Sequence, residues 1–237
     1  MQHPAEGGLL NDRIILITGA ARGIGASVAR SCAANGATVI LLDKQIKLLE
    51  TVYDQIEQAG NPTPAIYPLD LKGASEPDYQ QLATTITDNF GRLDAVVHCA
   101  ATLGQLAPVE HQDTKTWLET LHINLTAAVL LSKACLPLLK QQQSSQLIFT
   151  TDTHSHTAYW GAYGISKAAI EAFAAQLRDE LEAQGRVAVH CVNPGTVKTE
   201  LFARAFPATD PSALPEADDI APQYLALLCE SDHRQTS

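Results

Sequence analysis

Short runs of β-branched and aliphatic residues alternate along this chain with longer stretches of helical period, and that alternation constrains its fold more than any other feature. The runs are "RIILIT", "ATVILLD", "AIYPLDL", "DAVVHCA", "QLIFTT" and "VAVHCVNPG". Helices are expected from about Arg22, from Lys44, from Ser75, from about Asp113 to Lys140, and across "YGISK". Because the runs are apolar on both faces and helices separate them, they predict a parallel sheet covered on both sides, a doubly wound α/β fold of three layers. Beyond Gly195 the order weakens into a Pro-rich segment, about 198–222, before a last helix through "QYLALLCE"; this segment is a candidate helical lid. No linker divides the 237 residues, so 1–237 reads as one domain.

A formal net charge of -10 and the lack of clustered Lys and Arg disfavour a nucleic-acid surface. The five cysteines (Cys32, Cys99, Cys135, Cys191 and Cys229) are scattered and mostly lie in apolar segments, as reduced core residues do. Neither a disulfide framework nor a metal site is indicated. No apolar run reaches the roughly 18 residues needed to span a bilayer, so no membrane partner is expected. The N-terminus lacks the basic start and apolar stretch of a secretion signal, which places the protein in the cytoplasm.

The first strand runs into "TGAARGIG", with Gly19, Gly23 and Gly25 at the strand-to-helix turn. Glycine allows a tight turn there and lets backbone N–H groups approach a pyrophosphate, which the helix N-terminus then stabilises. Asp43 closes the second strand, where a carboxylate accepts the hydroxyls of an adenosine ribose and repels a 2′-phosphate. That favours NAD. Arg22 and Lys44 argue for NADP, since either can pair with the phosphate. Further along, Tyr163 and Lys167 stand one helical turn apart. Hydride transfer at a carbinol carbon requires a proton to travel the opposite way, and a phenol of pKa about 10 is a poor base near neutrality. The Lys167 charge lowers it, so Tyr163 is the expected general acid/base.

Taken together, "TGAARGIG", Asp70-Leu71, Asn124 in "HINL", "YGISK" and "NPGTVKT" resemble the short-chain dehydrogenase/reductase family over nearly the whole chain. Finer features such as "WGAYGISK" are similar to its bacterial YciK-like branch. The resemblance implies a Rossmann fold and an NAD(P)-dependent oxidoreductase acting on a secondary alcohol or ketone. It assigns Thr18, Gly19, Arg22, Gly23, Ile24 and Gly25 to the phosphates, Asp43 to the ribose, and Asp70, with Leu71, to the adenine. Ala100 would line the cofactor, Tyr163 and Lys167 would reach the nicotinamide ribose, and Pro194, Gly195, Val197 and Thr199 would cover the carboxamide. Asn124 would hold a water in the proton path from Lys167.

Three places depart from the family pattern. The fourth strand ends in His98-Cys99-Ala100-Ala101 where Asn-Asn-Ala-Gly or His-Asn-Ala-Gly is usual. The serine expected upstream of Tyr163 is missing: loop length points to Thr150 or Thr151, strand register to Asp152. His154 and His156 in the same loop read as solvated or substrate-facing. Finally, relatives continue beyond "ESDHRQTS" into a last strand that is not found here. A nucleotide-binding sensor or scaffold with degraded catalysis is the alternative to an enzyme. Apolar Leu201, Phe202 and Phe206 suggest a partly hydrophobic substrate, and Arg204 an acidic group on it. Surplus apolar positions at Leu130, Leu131, Leu138 and Phe173 predict a homodimer or homotetramer.

Overall fold

A computed structural model describes residues 8–230. Strands β1 (Ile14–Thr18), β2 (Thr38–Asp43), β3 (Ala65–Pro68), β4 (Ala95–His98), β5 (Ser145–Thr150) and β6 (Val187–Val192) pair in parallel in the order β3-β2-β1-β4-β5-β6. The order reverses between β1 and β4, and a crevice opens at the carboxyl ends of those strands, where doubly wound sheets bind ligands.

Alternation along each strand sends its side chains into two separate cores. On one face Ile15, Ile17, Val39 and Leu41 pack against α1 (Gly23–Ala34), α2 (Ile46–Gln58) and α8 (Ala217–Cys229). On the other, Leu16, Leu42, Val96 and Leu147 meet α3 (Glu76–Phe90), α5 (Ala127–Leu139) and α6 (Gly161–Glu182). The expected three layers follow. Among the described residues the two edge strands break the doubly buried pattern: Ala188 and Cys191 of β6 and Pro68 of β3 are exposed, and the other β3 residues are half-buried. The expected lack of a last strand falls partly on residues 231–237, outside the described part.

The helix expected from Asp113 to Lys140 is interrupted. It consists of α4 (Thr114–Leu121), capped by the Asp113 carboxylate, then a π-turn over His122–Thr126, then α5. Contrary to the sequence expectation, the stretch Thr114–Leu139 is long and apolar enough by composition to cross a membrane. Its residues Leu131, Cys135, Leu138 and Leu139 are buried in the second core, which accounts for that apolarity within the fold. The same packing corrects the basis for assembly, because Leu130 and Phe173 also lie against this core. The exposed apolar side chains of these helices are instead Leu118 on α4 and Ile165 on α6.

The lid is also shorter than expected. Short helix α7 (Glu200–Ala205) is followed by a 3-10 turn at Pro211–Ala213, and α8 already begins at Ala217, ahead of Pro222. A capping box between Glu216 and Asp219 starts α8 there. Asp218 then anchors it to α1, accepting hydrogen bonds from Ser27 (2.5 Å) and Arg30 (2.7 Å).

Candidate active site

A cleft of about 540 Å³ runs along the carboxyl ends of the strands, from the glycine turn to Tyr163, with the segment after β6 and α7 as its outer wall. Gly19, Arg22, Gly23, Ile24 and Gly25 form one end. Gly19 has φ +68°, and a Cβ there would lie 2.8 Å from the backbone of Ala100, while one on Gly25 would lie 2.2 Å from the Gly19 carbonyl oxygen. Only glycine lets β1, α1 and the chain after β4 approach so closely. Arg22 stands at the N-cap of α1 without a side-chain cap, which leaves the helix N-terminus open to an anion. Its guanidinium pairs with Glu200, tying the turn to α7.

Asp43, Asp70 and Leu71 line the adjoining end. Asp43 accepts the Gln45 N–H at 3.0 Å, and Asp70 accepts the Lys72 N–H at 3.1 Å with Lys44 3.9 Å away. Ala100, Pro194, Gly195, Val197 and Thr199 also face the cleft. Thr199 caps α7, its hydroxyl accepting from Phe202 N–H at 3.2 Å. These features fit an extended dinucleotide, with main-chain donors at the phosphate end and carboxylates at the ribose end.

Two expected site residues stay behind the cleft wall. β1 and β4 pair so that Thr18 lies beside His98, and the Thr18 hydroxyl accepts the Ala100 N–H at 3.2 Å. Asn124, in the π-turn, grips the chain after β4: it accepts from Thr102 N–H (2.8 Å) and donates to Thr102 O (2.9 Å) and Ser166 Oγ (3.1 Å). Both line a small space of about 10 Å³ that adjoins Ala100, Thr150 and Lys167.

At the far end, α6 presents Tyr163 and Lys167 on one face. The Tyr163 hydroxyl donates to Asp152 Oδ2 at 2.7 Å, and Lys167 donates to Thr150 O at 2.8 Å with its Nζ 5.6 Å from the phenol ring. Burial, and then the Asp152 carboxylate, push the Tyr163 phenol well above its ordinary range. Burial lowers Lys167, with Asp152 opposing that shift. Thr151 is 3 % exposed and its N–H is taken by Val192 O at 2.8 Å. The Thr150 hydroxyl meets Tyr224 at 2.8 Å, so of the three candidates upstream Asp152 is the one bonded to the phenol.

Sequence reading underrated the surroundings of this pair. Leu103, Trp160 and Tyr163 form a small apolar cluster joined by Leu201, Ala205 and Phe206. His154 stacks on Trp160 at 3.8 Å between centroids and bonds Asp152. The aromatic residue just ahead of "GAYGISK" was the available signal. In the strand that ends "HCAA", burial pushes Cys99 up to about 11, which keeps it an unreactive thiol. Burial also holds His98 neutral, down to about 3, bonded to Ser132 and stacked on Phe149.

Comparison with known proteins agrees with this geometry. The short chain dehydrogenase family profile matches residues 13–210. The uncharacterised oxidoreductase YciK of Escherichia coli K12 is 40% identical over 238 residues, covering 100% of this chain and 94% of YciK. Rabbit L-fucose dehydrogenase is 30% identical over 88% of this chain and 72% of its own. A crystal structure of a Shigella flexneri short chain dehydrogenase complexed with NADP superposes with a TM-score of 0.91 at 40% identity, covering 98% of this chain and 97% of that one. One from Escherichia coli CFT073 complexed with NADPH gives 0.91 at 40% identity over 98% and 96%. Sheet order, glycine turn, the Tyr163–Lys167 face and these matches together place the chain in the short-chain dehydrogenase/reductase family of oxidoreductases, in its YciK-like branch.

Proposed function

We propose that the protein is an NADP(H)-dependent oxidoreductase of a ketone or secondary alcohol, with Tyr163 as the proton donor and acceptor. The observation that carries this is the convergence of Tyr163, Lys167 and Asp152 on one cleft that begins at an uncapped helix N-terminus. The nicotinamide cofactor supplies or takes up the hydride when bound. Tyr163, which burial and Asp152 keep protonated, gives its proton to a carbonyl oxygen in reduction and takes it back in oxidation. Lys167 sits below the ring and stabilises the phenolate left behind. Asp152 stands for the family's serine, accepting from the phenol where a hydroxyl would. Leu201, Phe206 and Trp160 give the substrate an apolar wall, and exposed Arg204 at the cleft edge suits an acidic substituent.

The cofactor preference departs from the expectation of NAD drawn from Asp43. The Shigella flexneri and Escherichia coli CFT073 relatives are complexed with NADP and NADPH. Exposed Arg22 and Lys44 near Asp43 are the cations that a 2′-phosphate would meet, Arg22 by leaving Glu200 and Lys44 by leaving Asp70, which supports NADP over NAD. Cytoplasmic location and a homodimer or homotetramer belong to the same proposal, the latter checked by light scattering.

Fluorescence titration with NADPH, followed by cofactor consumption across a panel of ketones, tests the function. Binding with turnover is expected. Binding without turnover on any ketone or alcohol would instead support a nucleotide-binding sensor, for which the carboxylate beside Tyr163 is the specific observation.

A further inference from the structure

The two oxygens of Asp152 face different partners. Oδ2 accepts the Tyr163 hydroxyl at 2.7 Å. Oδ1 meets the His154 main-chain N–H at 2.8 Å and the His154 ring Nδ1 at 2.6 Å. An ionised carboxylate offers only acceptors, so the network assigns the proton of this contact to Nδ1. The ring is held from two further sides. Trp160 stacks on it at 3.8 Å and 18° between planes, and Phe206 of the lid lies 5.8 Å away. The turn that carries His154 presses on α6 at Gly164, where a Cβ would come within 2.8 Å of the His154 carbonyl oxygen.

We propose that His154 is a positioning residue for proton transfer: its Nδ1–H holds Asp152 with one oxygen toward Tyr163 and draws part of the carboxylate charge away from the phenol. A main-chain N–H alone would make an ordinary turn at Asp152 with a single bond on Oδ1. The ring adds a second, charge-assisted bond to the same oxygen and so fixes which oxygen is left for Tyr163. It also answers a difficulty of the site, since an unshared carboxylate at 2.7 Å opposes loss of the Tyr163 proton to substrate. Through the stack on Trp160 and the contact with Phe206, the orientation of Asp152 depends on the wall against which the substrate packs.

This role rests on the oxidoreductase function proposed above, and the test separates the two. His154→Asn puts an amide N–H near the place of Nδ1 but loses the ring; His154→Phe keeps the stack and loses the donor. With NADPH and the ketone that the unmodified protein turns over fastest, H154F is expected to lower kcat about 10-fold, as losing one charge-assisted hydrogen bond would. NADPH binding should stay unchanged. H154N should keep kcat within about twofold, and the H154F loss should vanish when Asp152→Ser is already present. Independently of activity, nitrogen NMR of histidine-labelled protein should show His154 protonated at Nδ1, with that preference lost in D152S. Equal losses in H154F and H154N, an undiminished loss in D152S, or an unprotonated Nδ1 would each overturn the proposal while leaving the oxidoreductase function standing. Lack of any turnover by the unmodified protein would overturn both.

Discussion

The two ends of the cleft are built on different principles. At the glycine-turn end the work falls to backbone: Gly19 and Gly25 let three segments meet, and the uncapped start of α1 offers its N–H groups. At the Tyr163 end it falls to side chains from separate elements, with Tyr163 and Lys167 from α6 and Asp152 and His154 from the turn after β5. The first end keeps the family pattern and the second departs from it. A backbone site tolerates little change, because any Cβ in the wrong place fills it. A side-chain site can be retuned, since a carboxylate in place of a hydroxyl still accepts the same proton.

The largest expected effect would break the two ends apart. Tyr163→Phe should lower turnover by about 10³-fold, within the range for loss of a general acid, while the NADPH dissociation constant stays within about twofold. A comparable loss of NADPH affinity would show that the ends act as one site. The converse change is Gly19→Ala, which introduces a side chain at φ +68° against Ala100. Strain of about 1–3 kcal/mol should weaken NADPH about 10- to 100-fold in fluorescence titration, with kcat at saturating cofactor nearly unchanged.

A third, smaller effect sharpens the retuning. Burial and the Asp152 carboxylate raise the Tyr163 pKa above 10.0, so the phenolate needed for alcohol oxidation is scarce at neutral pH and grows tenfold for each unit of pH gained. Oxidation should therefore speed up steadily with pH. Asp152→Ser removes the charge but not the burial, so the profile should move to lower pH and oxidation near neutrality should rise about 10-fold. An unmoved profile would mean that burial alone sets the phenol. The smallest effect concerns cofactor choice at the backbone end, where Arg22→Ala should cost NADPH about 5-fold in affinity and NADH little. Equal losses would confine Arg22 to its pairing with Glu200.

Most of the fold was legible because periodicity is a local property. Each strand shows its apolar residues within a few positions, and each layer helix carries a stripe that has to be covered. The glycine turn and the Tyr163–Lys167 pair were legible for the same reason: their function depends on close spacing within a strand-turn-helix unit or along one helix. The π-turn at His122–Thr126 was not, since "HINL" keeps a helical pattern and only the grip of Asn124 on Thr102 reveals the break.

Sequence alone thus determined the sheet, its helical layers, the glycine turn and the Tyr163–Lys167 pair proposed to move the proton, all encoded by residues near one another in the chain. Tertiary structure decided the rest. Thr151 and Asp152 are neighbours at the end of β5, and no local pattern says which one meets Tyr163; the pairing of β5 with β6 takes the Thr151 N–H and leaves Asp152 at the phenol. Arg22 finds Glu200 across 178 residues, and Leu131 and Leu138 turn out to serve the sheet rather than a partner subunit. His154 became more than a loop residue only when the turn folded against α6 and set its ring between Asp152 and Trp160. These outcomes depend on distances between segments, which periodicity, being a property of one segment at a time, does not carry.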